Sequence, residues 1–171
     1  MSKNCIYYVE GKCEEQLINA LKLEPAKLIP GKVKVFNPIQ QRIPQSQLLA
    51  IKRGTIVALV FDTDIPLTQN LKDNIELIKK YCKDPTIVFM PQVLDFEDEL
   101  VRCSDINSVL DLTRSLGASN FKTDFCRMKP VDCRNSLDRH HLDVDKLWTK
   151  EVPEAFSFIT NSSNKVKSKR Q

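Results

Sequence analysis

The sequence predicts an α/β protein: an open, mainly parallel four-stranded sheet flanked by helices, with a helical C-terminal part. Three observations carry this. Strand-like runs alternate with amphipathic helical segments as far as Pro91, the run Thr55 to Phe61 is apolar throughout, and only helical patterns follow Pro91. A continuous apolar run marks a strand covered on both faces, and alternation of strand with helix is the rhythm of right-handed crossovers between parallel strands.

The first strand is Cys5-Ile6-Tyr7-Tyr8-Val9, rich in β-branched and aromatic residues and closed by the turn residue Gly11. A helix from Lys12 to Lys22 follows. It sets Leu17, Ile18 and Leu21 with Ala20 on one face, puts acids in the first turn where the helix dipole favours them, and has Pro25 beyond its end. Gly31 opens the second strand, Lys32 to Phe36, whose strict alternation predicts a wet face or an edge position. Pro44 to Arg53 reads as a short helix stopped by Gly54, with Leu48, Leu49 and Ile51 turned inward. After the third strand, Thr55 to Phe61, a helix from Leu67 to Cys82 spaces Leu71, Ile75 and Ile78 on one face. Thr86 to Met90 is the fourth strand, ended by Pro91. Four helices are expected beyond it: Phe96 to Cys103, Asn107 to Leu116, Ser119 to Arg127 and about Leu137 to Trp148. Phe36, Phe89, Phe121, Phe125, Trp148 and Phe156 are assigned to the core, since nothing arranges them as a stacking platform.

A chain of 171 residues, 42% hydrophobic, can bury one sizeable core. The expected organisation is one domain over residues 1–160, with its core at about 4–92 and a helical appendage at about 93–160, then a flexible basic tail over 161–171. The net charge of +4 lies entirely in that tail, so residues 1–160 are neutral and show no basic stripe of the kind that announces a nucleic-acid surface. No apolar run reaches the roughly 18–20 residues of a spanning helix, and the amino terminus has no signal-like apolar region; no membrane role and a cytoplasmic location are the expectations. In that compartment Cys5, Cys13, Cys82, Cys103, Cys126 and Cys133 are expected as reduced thiols. The run Cys126, Cys133, His140, His141 lacks the short ligand spacing of a zinc site.

Ligands of open α/β sheets gather outside the carboxyl ends of the strands, and two predicted strand ends carry acids. The first ends Val9-Glu10-Gly11, with Glu14 and Glu15 in the next helical turn; the third ends Phe61-Asp62-Thr63-Asp64. If the third strand stays extended through Thr63, Asp62 and Asp64 point to the same side. Magnesium takes hard oxygen ligands, commonly one or two carboxylates with waters and substrate phosphate, so these acids form a sensible Mg2+ or Mn2+ pocket. Taken singly, each acid is as well explained by a turn or a helix cap. Several carboxylates at neighbouring strand ends repel one another unless a cation joins them. Gly11 would let a phosphate approach the backbone, with Lys12 beside it as a second substrate-binding residue.

The segment Val9-Glu10-Gly11-Lys12-Cys13-Glu14, followed some fifty residues on by Val60-Phe61-Asp62-Thr63-Asp64, resembles the signature of the Toprim domain. That domain occurs in topoisomerases, primases, ribonuclease maturases and the overcoming-lysogenization-defect nucleases. The resemblance covers about residues 4–92, and the closest likeness is to small stand-alone Toprim-like proteins of phage-defence neighbourhoods, including the RloB-like group. It implies a Toprim-like sheet and a metal-dependent hydrolase, a nuclease acting on DNA or RNA. Glu10 would be a general acid or base, or a metal ligand; Asp62 and Asp64 would hold magnesium; Glu14 would bind a second ion. In two-metal hydrolysis one ion activates the attacking water and the other stabilises the leaving oxygen.

Outside the signature, Asp95 and Glu97 follow the fourth strand and are candidates to reach the site, although an acidic first helical turn explains them equally. Lys122 is a candidate catalytic cation, and Arg127 a phosphate contact, because a pentacoordinate phosphate needs positive charge opposite the metals. His140 and His141 are either acid–base groups or exposed helix residues. Nucleic acid is the expected partner, with a homodimer or an ATPase subunit as further partners. Two other readings stay open: a non-catalytic module that binds a nucleotide or a partner, and a receiver-like phosphoryl-transfer domain, which would need a lysine after a late strand.

Overall fold

A computed structural model describes residues 4–168. Four parallel strands, β1 (Cys5–Val9), β2 (Lys32–Val35), β3 (Ile56–Asp62) and β4 (Thr86–Gln92), form one sheet in the order β2-β1-β3-β4. Alternating side chains of the strands feed two cores. Ile56, Ala58 and Val60 of β3 join Tyr7 and Val9 of β1 beneath α1 (Lys12–Leu21), α4 (Phe96–Arg102), α6 (Ala118–Arg127) and α7 (Pro130–Arg139). Val57, Leu59 and Phe61 point to the other face, beneath α2 (Gln45–Leu49), α3 (Gln69–Tyr81) and a 3-10 turn at Glu154–Phe156. This explains the unbroken apolar run of β3: every side chain from Ile56 to Phe61 is buried, whichever way it points. β2 lies at the sheet edge, as its alternation predicts, with Lys32 and Val35 exposed.

The described helices on the sheet match the α/β expectation, but several bounds differ. β4 continues through Pro91 to Gln92. The carbonyl of Gln92 accepts the Thr63 N–H on the β3 side, so the donor that Pro91 lacks falls on the outer edge, where no strand pairs. Two residues back on that outer edge, the Phe89 N–H donates to the Ser162 hydroxyl and the Phe89 carbonyl accepts the Ser162 N–H. α2 is shorter than the periodicity suggests, and Leu49, expected inside, is 61% exposed. α5 (Leu110–Thr113) is also cut short, closed by Arg114 in the left-handed region, while the Asp111 carboxylate accepts the Asn107 and Ser108 N–H groups ahead of it.

The last expected helix is misplaced. Instead of running from Leu137 to Trp148, α7 starts at Pro130 and ends at Arg139. Proline is pre-set for the first helical turn and has no N–H to waste there, while His141 at φ 52° turns the chain out of the helix. Residues 142–149 then form turns that bury Leu147 and Trp148.

The expectation of a loose tail is corrected as far as residue 168. Leu28 and Lys167 form an antiparallel bridge, Val166 is fully buried, and the Lys167 ammonium donates to the carbonyls of Asp145 and Leu147. Residues 169–171 of that expected tail lie outside the described residues. Of the aromatic residues assigned to the core, Phe121, Phe125, Trp148 and Phe156 are buried; Phe36 and Phe89 are half-buried and pack against the second core. Phe96, Phe121 and Phe125 form a cluster with ring centroids 5.4 to 6.5 Å apart, which holds α6 against α4. All six cysteines are free thiols.

Candidate functional site

The carboxyl ends of all four strands meet on one rim, and each delivers a polar residue there. β1 is followed by Glu10, β2 after Phe36 by Asn37, β3 ends on Asp62 and β4 on Gln92. Parallel pairing sets the register: Asp62 lies directly across from Gln92, and Val9 from Val60. The half-buried Glu10 carboxylate accepts the Asp62 backbone N–H at 2.9 Å and is also hydrogen-bonded by the Asn37 side chain. Asn37 is in turn oriented by the N–H groups of Ile39 and Gln40, which donate to its Oδ1.

Asp62 is the most perturbed acid of the group. Burial first, and then the charges of Glu10, Glu14, Asp95 and Asp64, push its carboxyl up to about 9. Its Oδ1 is buried and has no hydrogen-bond partner. Burial also raises Glu10; the Asp62 N–H opposes that shift, Asp64 adds to it, and Asn37 and Lys122 pull the other way. Glu14, buried in the first turn of α1, is raised by desolvation, lowered by the backbone N–H groups of Glu14 and Gly11, and raised again by Glu10. Asp64 lies two residues past Asp62, beyond the end of β3, and is exposed, and its charge acts on both Asp62 and Glu10. Thr63 between them is tied to the β4 end: its N–H donates to the carbonyls of Gln92 and Leu94, and its hydroxyl to that of Gln92.

Gly11 and Lys12 stand together at the N-terminus of α1, directly after the β1 end. Gly11 is the N-cap of α1 in extended backbone, and a side chain there would meet Glu14 Oε2 at 3.1 Å. The carboxylate of Glu14 therefore fills the space over Gly11, in the manner of a capping residue three positions into a helix. Lys12 is 70% exposed and paired with Glu15 at 2.8 Å. Lys122 stands at the rim on α6, held by Glu97 at 3.1 Å. Partial burial pulls its ammonium down, but Glu97, Cys13 and Asp62 more than compensate and raise it above an ordinary lysine. Arg127 is exposed further along the same helix.

Asp95 is the N-cap of α4, its Oδ1 accepting the Asp98 N–H at 2.8 Å, and its charge still reaches Asp62. The structure thus gives Asp95 the helix-cap role, with its charge adding to that of the strand-end acids. His140 and His141 are elsewhere, with each Nδ1 on the Asp105 carboxylate, at 3.2 and 2.6 Å. They contribute nothing to the strand-end cluster.

Two members of the rim escape a reading based on acids alone. Asn37 and Gln92 follow strands as Glu10 and Asp62 do, and the strand-end rule itself was the signal that could have found them. Gln92 is completely buried and neither its Oε1 nor its Nε2 has a partner. Unsatisfied polar atoms on Asp62 and Gln92, across one register pair, are costly unless a polar ligand or ordered water meets them.

Among the described residues, no group of three or more His, Cys, Asp or Glu side chains forms a ready ligand set for a metal ion. The donor set nevertheless fits a magnesium-type ion, which needs only one or two protein carboxylates and keeps its other ligands as water. Asp62 Oδ1 is the open oxygen, and Glu10, Glu14, Asp95 and Asp64 are the charges that act on it. No helix among the described residues is long and apolar enough to cross a membrane. Comparisons of the chain with protein families, with curated proteins and with solved structures find no match.

Proposed function

We propose that the protein is a Toprim-like, Mg2+- or Mn2+-dependent phosphodiester hydrolase acting on DNA or RNA, in nucleic-acid processing or phage defence. One observation carries the reading: the unpartnered, buried Oδ1 of Asp62 amid four other carboxylates at the strand ends. Such a group stays charged at neutral pH only if a cation replaces the proton that burial and repulsion force onto it.

In this reading Asp62 with Glu10 or Asp64 would hold the ion. The ion would supply Lewis-acid stabilisation of phosphate charge and an acidified water. Glu10, raised by burial and fixed on the Asp62 N–H, is placed to exchange a proton with the attacking water or the leaving oxygen. Lys122, at the same rim, would leave Glu97 for a phosphate oxygen. Glu14 serves mainly to close the first turn of α1 and to add negative charge beneath the site.

The test is cleavage of labelled single- and double-stranded DNA and RNA with magnesium or manganese. Metal-dependent cutting is expected in the wild type and absent in Glu10→Gln and in Asp62→Asn with Asp64→Asn. Cutting that survives both changes overturns the reading. A second reading of the same strand-end cluster is a module that binds a nucleotide or a partner such as an ATPase subunit without turnover; nucleotide binding unaffected by chelator, with no cleavage, would establish it.

A further inference from the structure

α1 and α6 meet at two thiols. Cys13 lies in the first turn of α1, 7% exposed, and its Sγ is 3.3 Å from that of Cys126 on α6. Cys13 also lies 3.8 Å from the Lys122 carbonyl, so its side chain sits over the α6 turn that leads from Lys122 to Cys126. Cys126 is the one cysteine of the six that is not fully buried, which gives a small oxidant a way in. A disulfide needs an S–S separation of about 2.05 Å, so the two sulfurs, already in contact, have roughly 1 Å left to close.

We propose that Cys13 and Cys126 are a peroxide-oxidisable thiol pair that closes into a disulfide stapling α1 to α6. Hydrogen peroxide is the oxidant. The Cys126 sulfur attacks one peroxide oxygen, the O–O bond breaks, and the departing hydroxide takes the thiol proton and leaves as water. The Cys13 sulfur then attacks the resulting sulfenic sulfur. The S–S bond forms as the S–O bond breaks, and the Cys13 proton leaves with the hydroxide as a second water. Two thiols are oxidised, and one peroxide is reduced to two waters.

The link joins the helix that carries Glu14 to the helix that carries Lys122, so oxidation fixes the lysine beside the acidic rim. The chemistry of the pair does not depend on the proposed hydrolase activity. It also closes a loop of more than a hundred residues, which restricts the unfolded chain.

The experiment takes the full-length chain, reduced and desalted, and adds equimolar hydrogen peroxide. A mass about 2 Da lower, a non-reduced peptide joining Cys13 to Cys126, and a Tm higher by about 5 °C that dithiothreitol reverses are expected. Cys13→Ser should leave a sulfenic acid on Cys126 that dimedone traps, and Cys126→Ser should leave Cys13 open to alkylation in the unfolded chain. A link from Cys126 to the neighbouring Cys133, oxidation of Cys126 to sulfinic acid with Cys13 still a thiol, or no reaction in the folded wild type would each overturn the proposal.

Discussion

The carboxylate of Glu10 accepts the backbone N–H of Asp62 at 2.9 Å, so the acid that ends β1 caps the strand that carries the other acid. One bond thereby closes the rim between β1 and β3 and holds two carboxylates close together. Removing the charge while keeping the acceptor should relax their conflict. In Glu10→Gln the Asp62 carboxyl is expected to titrate below the wild-type value of about 9, yet still above an ordinary aspartate, because burial is the larger cause. Carbon-detected NMR titration of the side-chain carboxyl reads this, and an unchanged or higher value would show that Glu10 does not sense Asp62.

Asp62 is expected to cost stability as it ionises. Its folded-state pKa is raised, so the folded chain holds that proton more tightly than the unfolded chain. The stabilising difference is complete below the ordinary aspartate range and is lost as pH rises towards about 9. Asp62→Asn keeps the shape and removes the charge. In chelator, the variant should gain Tm relative to wild type, and the gain should widen between pH 5 and pH 9. Melting curves across that range decide; a gap that narrows with rising pH contradicts the sign.

A divalent cation should act on the same group. On the proposed reading, Mg2+ or Mn2+ raises the wild-type Tm more at pH 8 than at pH 6, because the ion competes with a proton. Calorimetry in two buffers of different ionisation enthalpy should record proton release on binding. Asp62→Asn should lose most of the Tm increment and the released proton together.

Away from the site, Glu99 is 1% exposed and accepts from the Arg102 guanidinium and the Trp148 backbone N–H. Glu99→Ala should cost about 2–3 kcal/mol in urea unfolding, since it takes the acceptor from the buried Trp148 N–H and leaves the Arg102 guanidinium only the Lys146 carbonyl. A loss below about 0.5 kcal/mol would mean that water replaces the carboxylate.

Gly31 tests the close approach of backbone at the start of β2. A Cβ there would lie 2.7 Å from the Cys5 carbonyl and 2.8 Å from the Tyr7 ring, and the Cys5 carbonyl belongs to a strand in the middle of the sheet. Gly31→Ala is therefore expected to destabilise by about 1–3 kcal/mol, read by denaturant unfolding, despite leaving φ unstrained.

Much of the fold is legible in the chain because it is encoded locally. The unbroken apolar run of β3, the alternation of β2 and the helical spacing of Leu71, Ile75 and Ile78 report burial directly, and burial is what shapes those elements. The acids Glu10 and Asp62 are legible too, because a strand end is a place that sequence can locate. Local rules misled where tertiary partners set the outcome. Pro91 reads as a strand stop but sits on an open edge, and Asn161 to Ser168 read as a solvated tail although Ser162, Val166 and Lys167 find partners in the body.

The sequence by itself determined the strand–helix alternation and the presence of acids after the first and third strands. Hydrophobic period and turn chemistry act over a few residues and need no knowledge of distant neighbours. Only the tertiary structure decided that Asp62 keeps a buried, unpartnered oxygen bound in a rim with Glu10, that Asn37 and Gln92 join that rim, and that Cys13 meets Cys126. The meetings of Glu10 with Asp62 and of Cys13 with Cys126 join residues 52 and 113 positions apart, and their distances are set by how strands register and helices pack.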